Sequence, residues 1–287
     1  MDEFGAVLKA RELVRKVNPT VIPVPIESYI AEVQAVLRRE TDLSADEPGW
    51  SFGSNGKYYI CLNANDREER QRFTACHEIA HKVLALPSDH QGMPWWSYAK
   101  RPAAEIFCDV FAAELLLPYQ LFKPEAEKAE IGLRAVETLA SRFCASNMAT
   151  GSRFAAVVST PCAFVLSEQG KVRYASRSKA LREANAWIKP RVTIPEGSLS
   201  ARIRKGESCG ATEEVDADIW LSDWELGGVL REEARHLDKW DQTLTLLWFE
   251  DEEVPRPKPQ EGYREEDEPL LEELDGNLRW PSKKRRR

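Results

Sequence analysis

Apolar residues recur at helical spacing over positions 4–17, and the run ends at Asn18-Pro19, so the chain is read as opening on an amphipathic helix. A Pro-punctuated extended stretch at 21–25 precedes a short helix at 26–33 and strand-like runs at 35–40, 50–53 and 57–63. Asn55-Gly56 between the last two is a hairpin signal, because both residues tolerate the positive φ that a tight turn demands. Positions 67–86 then read as a long helix stopped by Pro87, and 103–117 as a second helix stopped by Pro118. Between them lies a loop rich in Pro, Gly and aromatic residues.

The texture changes after Leu133. Helical patterns at 133–143 and 148–158 flank a turn at 144–147, a helix-turn-helix outline, and 161–176 alternates as a hairpin around Glu168-Gln169-Gly170. Strands are expected near 191–194 and 244–249. The order predicts an α+β fold in three parts: a first domain at 1–130, which the family resemblance given below implies is a minimal gluzincin-like zinc peptidase domain, a helix-turn-helix-like segment at 131–160 and a mixed α/β region at 161–249. A charged tail at 250–287 carries many acidic residues interleaved with Pro and is read as disordered.

Composition narrows the function. With 43% hydrophobic and 30% charged residues in 287 positions, the chain has the balance of a folded protein with room for more than one core. The absence of a 20-residue apolar run or signal-peptide core predicts a cytoplasmic, non-membrane protein. A net charge of −7 argues against binding nucleic acid over the whole surface. The six cysteines lie far apart, without a Cys-x-x-Cys pair, and are read as reduced and mostly buried.

The chemistry sits in His77-Glu78-Ile79-Ala80-His81. Residues four apart project from one face of a helix, so two imidazoles can grip one ion, and the His-Glu-x-x-His pattern suits zinc with the Glu as general base. A catalytic zinc takes three protein ligands and keeps a position for water. Leu84 and Pro87 stand where a metzincin needs Gly and His, which excludes that route to a third ligand. The next helix offers Glu105 or Glu114, nine residues apart and therefore on opposite faces. Glu105 is favoured, because Asp109 follows one turn later and can orient a ligand histidine from behind. Glu114 reads instead as a solvated or capping carboxylate. Tyr98 and His90, in the loop between the helices, are candidate oxyanion stabilisers. The 57–63 strand is a candidate edge for an extended substrate.

Residues 72–81, Arg-Phe-Thr-Ala-Cys-His-Glu-Ile-Ala-His, followed by 105–118, Glu-Ile-Phe-Cys-Asp-Val-Phe-Ala-Ala-Glu-Leu-Leu-Leu-Pro, resemble the ImmA/IrrE metallopeptidases, with the match strongest over 25–120. Ala80 and Cys108-Asp109 depart from the Gly and Ala-Asn that the family often shows. The resemblance implies one zinc ion held by His77, His81 and Glu105, and catalysis by Glu78. It also implies cleavage of a helix-turn-helix repressor, which derepresses stress-response or mobile-element genes. Two other readings remain at this point: a zinc-stabilised regulator that binds DNA through 133–158, and a protein that titrates a partner without cutting it. Against the first, the second helix of that segment brings only Arg153, with Arg142 nearby, to meet nucleic acid.

Overall fold

The computed structural model describes residues 2–87 and 102–250, all within one unit, Met1–Pro255. His90, Tyr98 and the tail from 251 lie outside the described residues. Helix α1 (Glu3–Val17) starts where the Asp2 carboxylate accepts the Gly5 amide at 2.8 Å and ends on Asn18 in the left-handed region. Helix α2 (Ile26–Glu32) follows, then strands β1 (Ala35–Glu40), β2 (Gly49–Ser54) and β3 (Lys57–Asn63). Asn55 and Gly56 have φ of 50° and 71°, the conformation the Asn-Gly pair predicts, and Ser54 pairs with Lys57 across the turn.

The small sheet has the order β1-β3-β2, with β1 parallel and β2 antiparallel to β3. The expected substrate edge at 57–63 is therefore corrected: β3 is the central strand, its backbone already paired on both sides, and β2 is an edge. The cause is the parallel return of β1, which an alternation pattern does not reveal.

Helix α3 (Glu68–Leu84) ends on Ala85 at φ 53°, ahead of Pro87, and helix α4 (Ala103–Leu116) packs along it, with α1 against the other side of α4. Pro118, read as a stop, also opens helix α5 (Tyr119–Glu127), which the sequence pattern missed because Pro124 lies inside it. Helices α6 (Leu133–Phe143) and α7 (Asn147–Val157) meet at a turn through Cys144 at φ 50°.

Strands β4 (Cys162–Glu168) and β5 (Lys171–Arg177) form the expected hairpin. Short helices α8 (Lys179–Glu183) and α9 (Leu199–Arg204) precede strand β6 (Thr212–Asp216), helix α10 (Ala217–Trp220) and strands β7 (Val229–Leu237) and β8 (Gln242–Trp248). The second sheet runs β5-β4-β8-β7-β6, with every neighbour antiparallel. β4 and β8 are buried at every position, including the polar Ser167, Glu168, Gln242, Thr243 and Thr245. Phe164, Leu246 and Trp248 face a core shared with α1–α7, and Ala163, Val165 and Leu247 face a second core with Ile188, Trp220 and Trp224.

One expectation in this region changes, and strands β6 and β7 were not read from the sequence. Positions 191–194 form no strand but a single bridge, Lys171 to Thr193, beside β5. β7 escaped notice because its charged residues hide its inward face. Fully buried Glu232 accepts the amides of Leu199 at 3.1 Å and Ser200 at 2.8 Å and the Trp220 indole at 3.0 Å, holding α9 and α10 onto the sheet.

The helix pair of the helix-turn-helix outline is present, but α7 is packed into the protein, and of its residues only Asn147 is exposed. Gly151 lies so close to β4 that a Cβ there would stand 2.3 Å from the Phe164 ring.

Candidate metal centre

The turns of α3 place His77 and His81 one above the other, and α4 brings Glu105 against them. His77 Nε2 lies 3.1 Å from His81 Nε2 and 3.1 Å from Glu105 Oε2, while His81 Nε2 lies 3.5 Å from Glu105 Oε1. All three residues are buried. Donor atoms about 2.0–2.1 Å from an ion at tetrahedral angles stand roughly 3.3 Å from one another. The two Nε2 atoms and the two oxygens of the Glu105 carboxylate already stand near that spacing, so the donor set and its geometry fit one zinc ion. Two ring nitrogens and a carboxylate aimed at one buried point also need a cation or protons between them, since the lone pairs otherwise repel.

Asp109 Oδ1 accepts from Nδ1 of His77 at 2.9 Å. That bond holds the proton on Nδ1 and turns the Nε2 lone pair toward Glu105 and His81, the arrangement a metal ligand needs. Burial alone lowers the pKa of the His77 imidazole; the hydrogen bonds to Asp109 and Glu105 outweigh it and raise the pKa to about 9 in the metal-free protein.

Glu114 lies away from this cluster. Its carboxylate is buried, pairs with Arg153 at 2.8 Å and Arg11 at 3.3 Å, and accepts the Tyr119 amide at 3.4 Å. It therefore caps α5, one of the two roles expected of it, and it is not solvated. Arg153 also donates to the Leu117 carbonyl at 3.1 Å, so of the two cations counted toward DNA contact it serves the fold, while Arg142 pairs with Glu125 at the surface.

A residue beside the proposed ligands, Cys108, was missed. The Cys108 thiol comes within 4.8 Å of the ligand atoms of both His77 and His81 and is fully buried. Its signal in the sequence was the Glu-x-x-Cys spacing, which puts Cys108 one turn beyond Glu105 on the same face. Among the described residues none of the six cysteines is in a disulfide, and burial pushes the Cys76 thiol up to about 12.

Glu78 is 1% exposed, and its Oε2 accepts from Ser51 Oγ of β2. Ser51 Oγ in turn lies 2.7 Å from the Tyr58 hydroxyl of β3. Neither residue was singled out from the sequence, because a lone Ser and a lone Tyr in strands carry no spacing signal. The two proposed oxyanion residues, Tyr98 and His90, fall outside the described residues.

Comparison with known proteins agrees with the geometry. Residues 33–154 match a peptidase family described as the IrrE N-terminal-like domain. Over 125 residues the chain is 31% identical to the radiation response metalloprotease IrrE of Deinococcus radiodurans. That alignment takes in 42% of this chain and 38% of the relative, so the chain spans well under half the length of the curated protein it matches. Among solved structures, a Mycobacterium tuberculosis transcriptional regulator superposes with a TM-score of 0.52 at 14% identity, over 86% of this chain and 76% of the other. That similarity concerns the fold.

Proposed function

We propose that this chain, whose residues 33–154 match the IrrE N-terminal-like peptidase family, is a zinc-dependent endopeptidase in which His77, His81 and Glu105 hold the metal and Glu78 is the general base. The observation that carries the reading is the convergence of the two Nε2 atoms and the Glu105 carboxylate, each within 3.5 Å of the others. Bound there, zinc supplies Lewis acidity that polarises the scissile carbonyl and makes water acidic near neutral pH.

The chain's own groups do the rest. Asp109 fixes the His77 ring, so the ligand enters the site in the required tautomer. The Glu78 carboxylate, one residue after His77 on the same helix, takes a proton from the attacking water and passes it to the departing amine. Ser51 of β2 touches Glu78, so the β2 edge borders the carboxylate. An extended segment of substrate that adds to β2 by backbone hydrogen bonds runs past the base with its scissile bond in reach.

For substrate we propose a helix-turn-helix repressor, cut in the cytoplasm so that the genes it silences are expressed. Support for this comes from the family resemblance. Among the described residues no helix is long and apolar enough to cross a membrane. Incubating the zinc-loaded protein with repressors encoded beside it, with and without chelator, tests the proposal. Cleavage that chelator and Glu78→Gln both abolish supports it, and cleavage that survives in Glu78→Gln overturns it. The DNA-binding alternative loses ground on one observation: α7 has almost no exposed face to lay in a groove.

A further inference from the structure

Glu78 is held from two sides. Its backbone belongs to α3, but its Oε2 is bonded to a residue of the neighbouring sheet, Ser51. Strand and helix match in rise here. Gly49 lies so close to α3 that a Cβ would stand 2.8 Å from Thr74 Cγ2. Two residues on along the strand is roughly 6.6 Å, and four residues on along the helix is about 6 Å. The contact of Gly49 with Thr74 is thus repeated one step later as the contact of Ser51 with Glu78.

Tyr58 completes the arrangement. It lies on the same face of the sheet, diagonal to Ser51, whose direct partner across the ladder is Ile60. Lys82 Nζ sits 5.0 Å from the Tyr58 ring centroid and donates to the Val33 and Gln34 carbonyls, so the ring is held from the α3 side as well. With the Ser51 hydroxyl proton given to Glu78, Ser51 Oγ is the acceptor, and the Tyr58 hydroxyl is the donor. A carboxylate that receives such a chain has one of its oxygens fixed, which leaves the other in a set direction. Placing a base in this way is what limits the cost of proton transfer.

We propose that Ser51 and Tyr58 form a two-hydroxyl relay that positions the Glu78 carboxylate for hydrolysis. This rests on the reading of Glu78 as general base. Both are positioning residues, since neither is required to touch substrate. The relay also gives the small sheet a second task beside presenting an edge: β2 and β3 set the aim of the base.

Acetohydroxamic acid tests the relay without a known substrate. The probe ligates zinc through its two oxygens and gives up its hydroxyl proton, which a correctly aimed carboxylate accepts. Its affinity for the zinc-loaded full chain is measured by calorimetry for the parent and for Glu78→Gln, Ser51→Ala, Ser51→Thr and Tyr58→Phe, with zinc content and melting temperature measured alongside. At unchanged zinc content Ser51→Ala is expected to weaken binding roughly tenfold, the worth of a hydrogen bond to a charged group, and Tyr58→Phe about threefold to fivefold, because its bond is to the neutral Ser51 hydroxyl. Ser51→Thr restores the parent affinity because it keeps the hydroxyl, and Glu78→Gln weakens binding at least as much as Ser51→Ala. If Glu78→Gln weakens binding while Ser51→Ala and Tyr58→Phe match the parent, the relay is overturned and the general base stands. If Glu78→Gln also matches the parent, the reading of Glu78 itself fails. Should Ser51→Ala unfold or lose zinc, Tyr58→Phe decides alone, since it removes one oxygen and leaves the ring in place.

Discussion

Asp109 on α4 accepts a 2.9 Å hydrogen bond from Nδ1 of His77 on α3, so the orientation of one helix's imidazole is set by the other helix. The same two helices are joined through Glu105, which makes the site a clamp between them rather than a property of the His-Glu-x-x-His turn alone. Removing the Asp109 carboxylate leaves every proposed ligand present but frees the His77 ring. Asp109→Ala is expected to weaken zinc binding roughly 10–100-fold, measured by competition with a chelator of known affinity. An unchanged affinity would remove Asp109 from the account.

Glu105 and Glu114 separate cleanly in a second experiment. Glu105→Ala is expected to lose tight zinc at little cost to the fold away from the site. Glu114→Ala is expected to keep its zinc but lose about 3 kcal/mol of stability, because it strands Arg153 in a largely enclosed position and uncaps α5. Zinc stoichiometry and denaturant unfolding of the two variants check this. The opposite pattern would exchange their roles.

The metal-free protein carries a pH signature. The His77 pKa rises from 6.5 to about 9 on folding, through its bonds to Asp109 and Glu105 and against the effect of burial. A raised pKa means that the folded state holds the proton more tightly. The contribution to stability is therefore complete below about pH 6.5 and lost as pH rises through about 9. Scanning calorimetry of chelated protein should show a melting temperature that declines across that window, a decline that zinc suppresses by taking the place of the proton. Zinc binding near neutral pH should likewise release a proton, seen as a dependence of binding heat on buffer. A metal-free protein whose melting temperature rises over the same window contradicts the assignment.

The parts of this fold that were legible in the sequence are those whose signal is local. The Asn55-Gly56 turn, the stop of α3 near Pro87 and the four-residue spacing of His77 and His81 each depend on a few neighbouring residues. So does the one-turn spacing of Glu105 and Asp109, which is why the pairing of Asp109 with a histidine could be anticipated. What stayed hidden depends on distant partners. The central position of β3 follows from the parallel return of β1, and β7 reads as polar because Glu232 points inward to cap α9. The burial of α7 is written in Gly151, whose missing side chain makes room for Phe164 of a strand 13 residues further on. Ser51 and Tyr58 were invisible for the same reason: their meaning appears only when the sheet is laid on α3.

X-ray absorption at the zinc edge of the loaded protein probes the clamp itself. Two imidazole nitrogens and carboxylate oxygen from Glu105 predict a shell of light atoms alone, at about 2.0–2.2 Å. A sulfur scatterer at about 2.3 Å that vanishes in Cys108→Ser would put the thiol where Glu105 is placed here, and a shell with fewer than two imidazoles would contradict the site altogether.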